Sequence, residues 1–324
     1  MRRVPVSLVL IVCLLGGSGG SHADGNVDLD TLIQRVADGP KPAAAAATAL
    51  EAARSLADAD AAVSGLRRLA LAVGARSSTD HAFEIMTEAR AVAREGAVDE
   101  LELVLLDESE ANLLLSAGRI REALPLLERA LAERRRREEP TGAAFDLNQI
   151  ALALLLLGEY ERSVSRSHEA LQLAEEAGAP AVEARSRFLL GMIDRQLERY
   201  DQALALFRSS AAAAERAGDT AQLLRAVNEE ANALFYLGRT DEAVERKRVA
   251  IEAAEATGDR FALASCRHDM GVLLHGQQRH REALEAYRVA HDAFLQFGSL
   301  REAAVSASNV SAVLLVLEIG RAHV

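Results

Sequence analysis

Apolar residues recur along most of the chain with the period of an α-helix. Leu147, Ile150, Ala151, Leu154 and Leu157 fall on one face of a predicted helix, and Leu204, Phe207 and Ala211 on one face of another. The pattern repeats at a fixed step. Gly118-Arg119-Ile120, Gly158-Glu159-Tyr160, Glu198-Arg199-Tyr200, Gly238-Arg239-Thr240 and Gln278-Arg279-His280 each begin 40 positions after the one before. Small residues keep the same step, at Ala111, Ala151, Gly191, Ala231, Gly271 and Ser311, and again at Ala130, Ala170, Ser210, Ala250 and Ala290. Gly178, Gly218, Gly258 and Gly298 close apolar-periodic runs, where a left-handed C-cap needs no Cβ, and Asp219 and Asp259 stand next as N-caps. Each unit therefore reads as two helices and two turns. Neither helix covers its apolar face alone, so neighbouring units must stack.

These columns resemble the tetratricopeptide repeat. The match runs through Leu147-x2-Ile150-Ala151-x2-Leu154, Gly158-Glu159-Tyr160, Ala203-x3-Phe207 and Ala283-x3-Tyr287, in a unit six residues longer than the family's ~34. The resemblance covers Leu101 to Leu317. It implies an all-α fold, a right-handed superhelical solenoid of antiparallel helix pairs. Ser167 and Lys247 depart from the column of Phe207 and Tyr287, and Glu110 and Glu230 from that of Ile150 and Met270.

The expected organisation is a signal peptide over 1–23, a linker with at most a short helix over 24–42, degenerate capping helices over 43–98, and 40-residue repeats over 99–318, the last incomplete. Met1-Arg2-Arg3, the apolar stretch Val4–Leu15 and Ser21-His22-Ala23 make a basic start, a short apolar core and a small-x-small cleavage site. The reading is export from a bacterial cell, to the periplasm or beyond. An uncleaved anchor is disfavoured by the short, Pro5-containing stretch, and lipid attachment at Cys13 by Val12. Ile319–Val324 match the translation of a common short-read sequencing adapter and are read as an artefact at the end of a truncated reading frame.

Composition narrows the function. Aromatic residues are only 4% of the chain, so its core is aliphatic. The formal charge is −11, and −13 once Arg2 and Arg3 leave with the leader, which repels nucleic acid and anionic lipid. No uninterrupted apolar run of bilayer-spanning length is apparent. Cleavage leaves Cys266 as the sole cysteine, so no intramolecular disulfide forms.

Catalytic patterns are mostly eliminated. Lys41 and Lys247 are the only lysines and neither follows a phosphate-cradling glycine loop, while the G-x-S-x-G match at Gly16–Gly20 lies in the leader. His268 and His275 are two turns apart on one predicted helix, without the partners that complete a metal shell. Arg134–Arg137 read as a solvated helix end, flanked by Glu133, Glu138 and Glu139. No enzyme activity, cofactor or metal is expected.

What remains is the face that the family resemblance places on the inside, lined by the first helix of each unit. There the resemblance points to Asn148, Asn228 and Asn232 as amides that bind an extended peptide, with Arg195 as a carboxylate partner and Phe235, His268 and His275 beside them. The expectation is a non-catalytic scaffold that binds a protein or peptide segment. The alternative is the periplasmic sensor region of a signalling enzyme, of diguanylate cyclase or histidine kinase type, whose membrane span and output domain are missing.

Overall fold

The computed structural model describes residues 28–38, 42–76 and 79–322; the leader, residues 24–27, 39–41 and 77–78 and the last two residues lie outside the described part. Among the described residues there are fifteen helices and no strand. They fall into two units, 1–169 and 170–324.

The first unit opens with α1 (Leu29–Asp38), α2 (Pro42–Arg54), α3 (Ala59–Arg76) and α4 (Thr79–Glu95). Leu32, Ile33 and Val36 of α1 bury against Ala49, Leu66, Leu69, Ile85 and Met86, in a core that also takes Leu106 and Leu113 from the next helix. Within the stretch 24–42, read as a linker with at most a short helix, the described residues 28–38 hold α1. The periodic leucine, isoleucine and valine there form a packed helix of the core, because their apolar stripe finds a partner. Then follow α5 (Glu100–Ser116), α6 (Ile120–Arg136) and α7 (Pro140–Leu157), each packed on its neighbour. The helix α8 (Tyr160–Glu176) runs across the boundary between the units.

The second unit holds α9 (Pro180–Gln196), α10 (Tyr200–Ala217), α11 (Thr220–Tyr236), α12 (Thr240–Thr257), α13 (Arg260–Gly276), α14 (His280–Gln296) and α15 (Leu300–Ala322). From α9 on, every helix packs on the next, which is the solenoid order of helix pairs that the repeat requires.

The caps fall where the sequence places them. Asp219 accepts a hydrogen bond from the Gln222 amide and Asp259 one from the Ala262 amide, both at 2.9 Å. Gly158 and Gly218 end α7 and α10 in the left-handed region, with φ of 78° and 67°. Glu138, Glu198 and Gln278 take the same turn at φ of 56°, 59° and 62° without being glycine.

The small column has a definite partner. A Cβ on Gly191 would lie 2.7 Å from the Phe207 ring, and one on Gly271 2.7 Å from that of Tyr287. Where the column already carries a Cβ, at Ala111, Ala151 and Ala231, the residue sixteen further on is Leu127, Ser167 or Lys247, none of them aromatic.

Among the described residues two helices are long and apolar enough to cross a membrane by length and composition, 140–157 and 300–318, although Asp146, Asn148 and Gln149 interrupt the apolar run of the first and Arg301, Glu302, Ser306 and Asn309 that of the second. In the first, 61% of the window is buried, as befits a core helix; in the second only 17% is, and Leu300, Val305, Leu315 and Val316 of α15 are exposed.

Candidate functional site

In the second unit the first helices of successive repeats, α9, α11 and α13, carry six of the seven residues expected to bind. Asn228, Asn232 and Phe235 are spaced i, i+4, i+7 along α11, so helical geometry sets them on one face. Asn228 and Asn232 are half-buried. Their amide oxygens converge on the ammonium of Lys247, which donates to Asn228 Oδ1 at 2.6 Å, Asn232 Oδ1 at 3.1 Å and Asp269 Oδ2 at 3.1 Å. Lys247 reaches them from α12, with no exposed side-chain surface. An ammonium has three donors, and here all three are used. The Cys266 thiol of α13 also donates to Asn228 Oδ1, at 3.4 Å, and burial pushes that thiol up to about 11.

Arg195 of α9 is already paired. Its Nε lies 3.3 Å from the Glu229 carboxylate on α11, so a ligand carboxylate would compete with an internal one. Phe235 meets Tyr236 edge-on at 5.8 Å between ring centroids, and Tyr236 stacks on Tyr200 at 4.8 Å while staying 54% exposed. His268 accepts from or donates to Ser306 Oγ at 2.9 Å through Nδ1 and lies 5.3 Å from the Tyr287 ring; burial holds it below its ordinary value, so it is neutral at pH 7. His275 faces His280 across the α13–α14 turn, Nδ1 to Nδ1 at 3.2 Å. No group of three metal-ligating side chains occurs among the described residues.

In the first unit Asn148 has no exposed surface. Enclosed in this way, it has no surface for a ligand to reach, whereas Asn228 and Asn232 keep part of theirs. Next to it on α7, Gln149 donates to Asn112 of α5. Arg134 also departs from expectation. Its side chain is only 12% exposed and serves Glu108, Glu139 and the fully buried Asp146, whereas Arg135, Arg136 and Arg137 pair at the surface with Glu169, Glu133 and Glu139. Gly142 makes this burial possible, since a Cβ there would collide with the guanidinium.

Sequence reasoning passed over Lys247, Asp269, Glu229 and Tyr236. Lys247 carried a signal, as the one cation in a column otherwise made of Leu127, Ser167, Phe207 and Tyr287.

The sequence matches the tetratricopeptide repeat family over 143–216 and 219–296, which contains α9 to α13 and the whole amide cluster. Over that stretch, 143–296, the chain carries tetratricopeptide repeats. Solved structures agree on the fold. A Rap protein complexed with competence and sporulation factor is 16% identical, with a TM-score of 0.63 over 91% of this chain and 89% of that one. The quorum sensor NprR from B. thuringiensis, in its apo form, is 12% identical with a TM-score of 0.59, over 89% of this chain and 79% of that one. A signal transduction ATPase with a tetratricopeptide repeat sensor, from Pyrococcus horikoshii, is 11% identical with a TM-score of 0.62; this chain is covered to 85%, but only 44% of that one. No curated protein sequence matches the chain. The match and the solved structures agree on a tetratricopeptide-repeat scaffold.

Proposed function

We propose that the face built by α9, α11 and α13 binds an extended peptide or protein segment, and that the protein recognises its ligand without turning it over. The observation that carries this reading is the half-buried amide pair Asn228 and Asn232 beside Phe235 and the exposed Tyr236. Amides that hydrogen-bond a peptide backbone next to aromatic surface are a peptide-recognition arrangement. The charged groups close by are consumed in pairs, Lys247 with Asp269 and Arg195 with Glu229, which leaves binding rather than acid–base chemistry. The Rap neighbour was solved with a factor bound, which supports the same use of the fold.

The compartment belongs to this proposal as well. The basic start, apolar stretch and small-x-small site over 1–23 support export to the periplasm or beyond, and sequencing the N-terminus of the purified protein tests it. Binding is tested with linear peptides selected from a random display library on the full chain. Asn228→Ala with Asn232→Ala is expected to weaken the selected peptides about tenfold, a loss of one or two hydrogen bonds; unchanged affinity would place the ligand elsewhere.

A second reading, a sensor region preceding a membrane span and an output domain, is favoured by the bare apolar side of α15 and by the likeness to a sensor within a larger signalling ATPase. Reading the gene past codon 318 from source DNA decides it: an immediate repeat-capping helix and stop removes the sensor reading.

A further inference from the structure

The buried ammonium of Lys247 determines which half of each asparagine amide is left for a ligand. An amide side chain has one acceptor oxygen and one NH2 donor group, and the two are exchanged by a half-turn of the terminal bond. Lys247 carries donors only. Held against Asn228 Oδ1 at 2.6 Å and Asn232 Oδ1 at 3.1 Å, it fixes both oxygens inward, so what the half-buried side chains have left to offer is N–H. The Cys266 thiol, a donor to the same Asn228 oxygen, enforces the same orientation.

The charge of the lysine does not reach the surface as a net charge. Asp269, 3.1 Å from Nζ, balances it, and the neighbouring Arg195 is balanced by Glu229. The face therefore presents fixed donors in a locally neutral field. Resting on the peptide-binding reading above, we infer that Lys247 is a positioning residue that makes this face selective for neutral hydrogen-bond acceptors, the main-chain carbonyls of an extended segment, over a carboxylate terminus or acidic side chain. An aromatic residue at 247, as in the neighbouring repeats, would leave both amides free to turn.

The decisive variant is Asn228→Asp with Asn232→Asp. Aspartate keeps the shape and the oxygen that Lys247 needs, so the fold is retained, but it has no N–H to give. Peptides with blocked ends, selected on the wild-type chain, are expected to bind this variant at least tenfold more weakly, with an unchanged helical circular dichroism spectrum. Lys247→Met is expected to weaken the same peptides, and to add no further loss on top of Asn228→Ala with Asn232→Ala, a coupling that simple loss of packing does not produce. Wild-type protein is expected to prefer blocked over free C-termini in those peptides.

Full affinity in the aspartate variant would overturn the inference. If Phe235→Ala nevertheless weakens binding, the face is still the binding site and only the donor assignment falls. Indifference to all of these changes overturns the binding reading together with it.

Discussion

Phe207 fills the space that Gly191 leaves: a single Cβ on that glycine would come within 2.7 Å of the ring. The same relation joins Tyr287 to Gly271, two helix pairs and eighty residues further along. Interiors are packed closely enough that one methyl group displaces its neighbours. Gly191→Ala is therefore expected to lower stability by about 1–3 kcal/mol, despite alanine's better helix propensity. Thermal melts followed by circular dichroism check it, with Gly191→Ala/Phe207→Leu expected to recover part of the loss; a more stable single variant would contradict the packing argument.

The same pair marks how far the sequence could be read. Helix boundaries, the 40-residue step and the caps at Asp219 and Asp259 were legible because each rests on local chemistry: apolar period, a glycine stop, a side-chain acceptor. The pairing of each small residue with the one sixteen positions on is a contact between helices, and it emerges only once they are packed. For that reason Lys247 looked like a defect beside Phe207 and Tyr287 in its column, although it organises the two amides of the adjoining helix α11. Asn148 shows the converse. It shares a column with Asn228, yet it is fully buried, since column membership does not fix what covers a side chain.

Glu198 and Gln278 end their helices with φ of 59° and 62°, in turns that glycine makes at 158 and 238. A side chain in the left-handed region costs on the order of 1–2 kcal/mol, part of which glycine returns through its freer unfolded chain. Glu198→Gly is expected to raise the denaturation midpoint by an amount near 0.5–1 kcal/mol, and Gly158→Ala to lower it. Equal and opposite shifts in chemical denaturation, with unchanged circular dichroism, are the signature to seek.

Cys266 is buried, and its burial pushes the thiol up to about 11. Since the thiolate is the reactive form, the native protein at pH 8 is expected to alkylate with iodoacetamide far more slowly than the urea-unfolded chain, at least a hundredfold. Rapid modification of the folded protein would show that α13 opens readily and that the amide cluster is not a fixed element.

The most pH-sensitive feature is expected at Asp146. This carboxyl is fully buried, and burial first, then the nearby Glu108 carboxylate, push it up to about 9, against the pull of Arg134. Arg134 is shared, bonding Glu108 through Nε at 3.0 Å and Glu139 through Nη1 at 3.0 Å, so it cannot neutralise all three acids. In the unfolded chain Asp146 titrates near 4. Between about pH 4 and pH 9 the folded state therefore holds a proton that the unfolded state releases. The group's contribution to stability is complete below the unfolded value and is lost steadily as pH rises through that window, at up to ~1.4 kcal/mol per pH unit. Asn in its place keeps the shape, needs no proton and leaves Arg134 to Glu108 and Glu139. Asp146→Asn is accordingly expected to unfold at higher urea than wild type at pH 8, and to reduce the fall in midpoint between pH 5 and pH 8. Parallel pH profiles for the two proteins would mean that Asp146 is ionised in the fold, with its charge balanced by Arg134 after all.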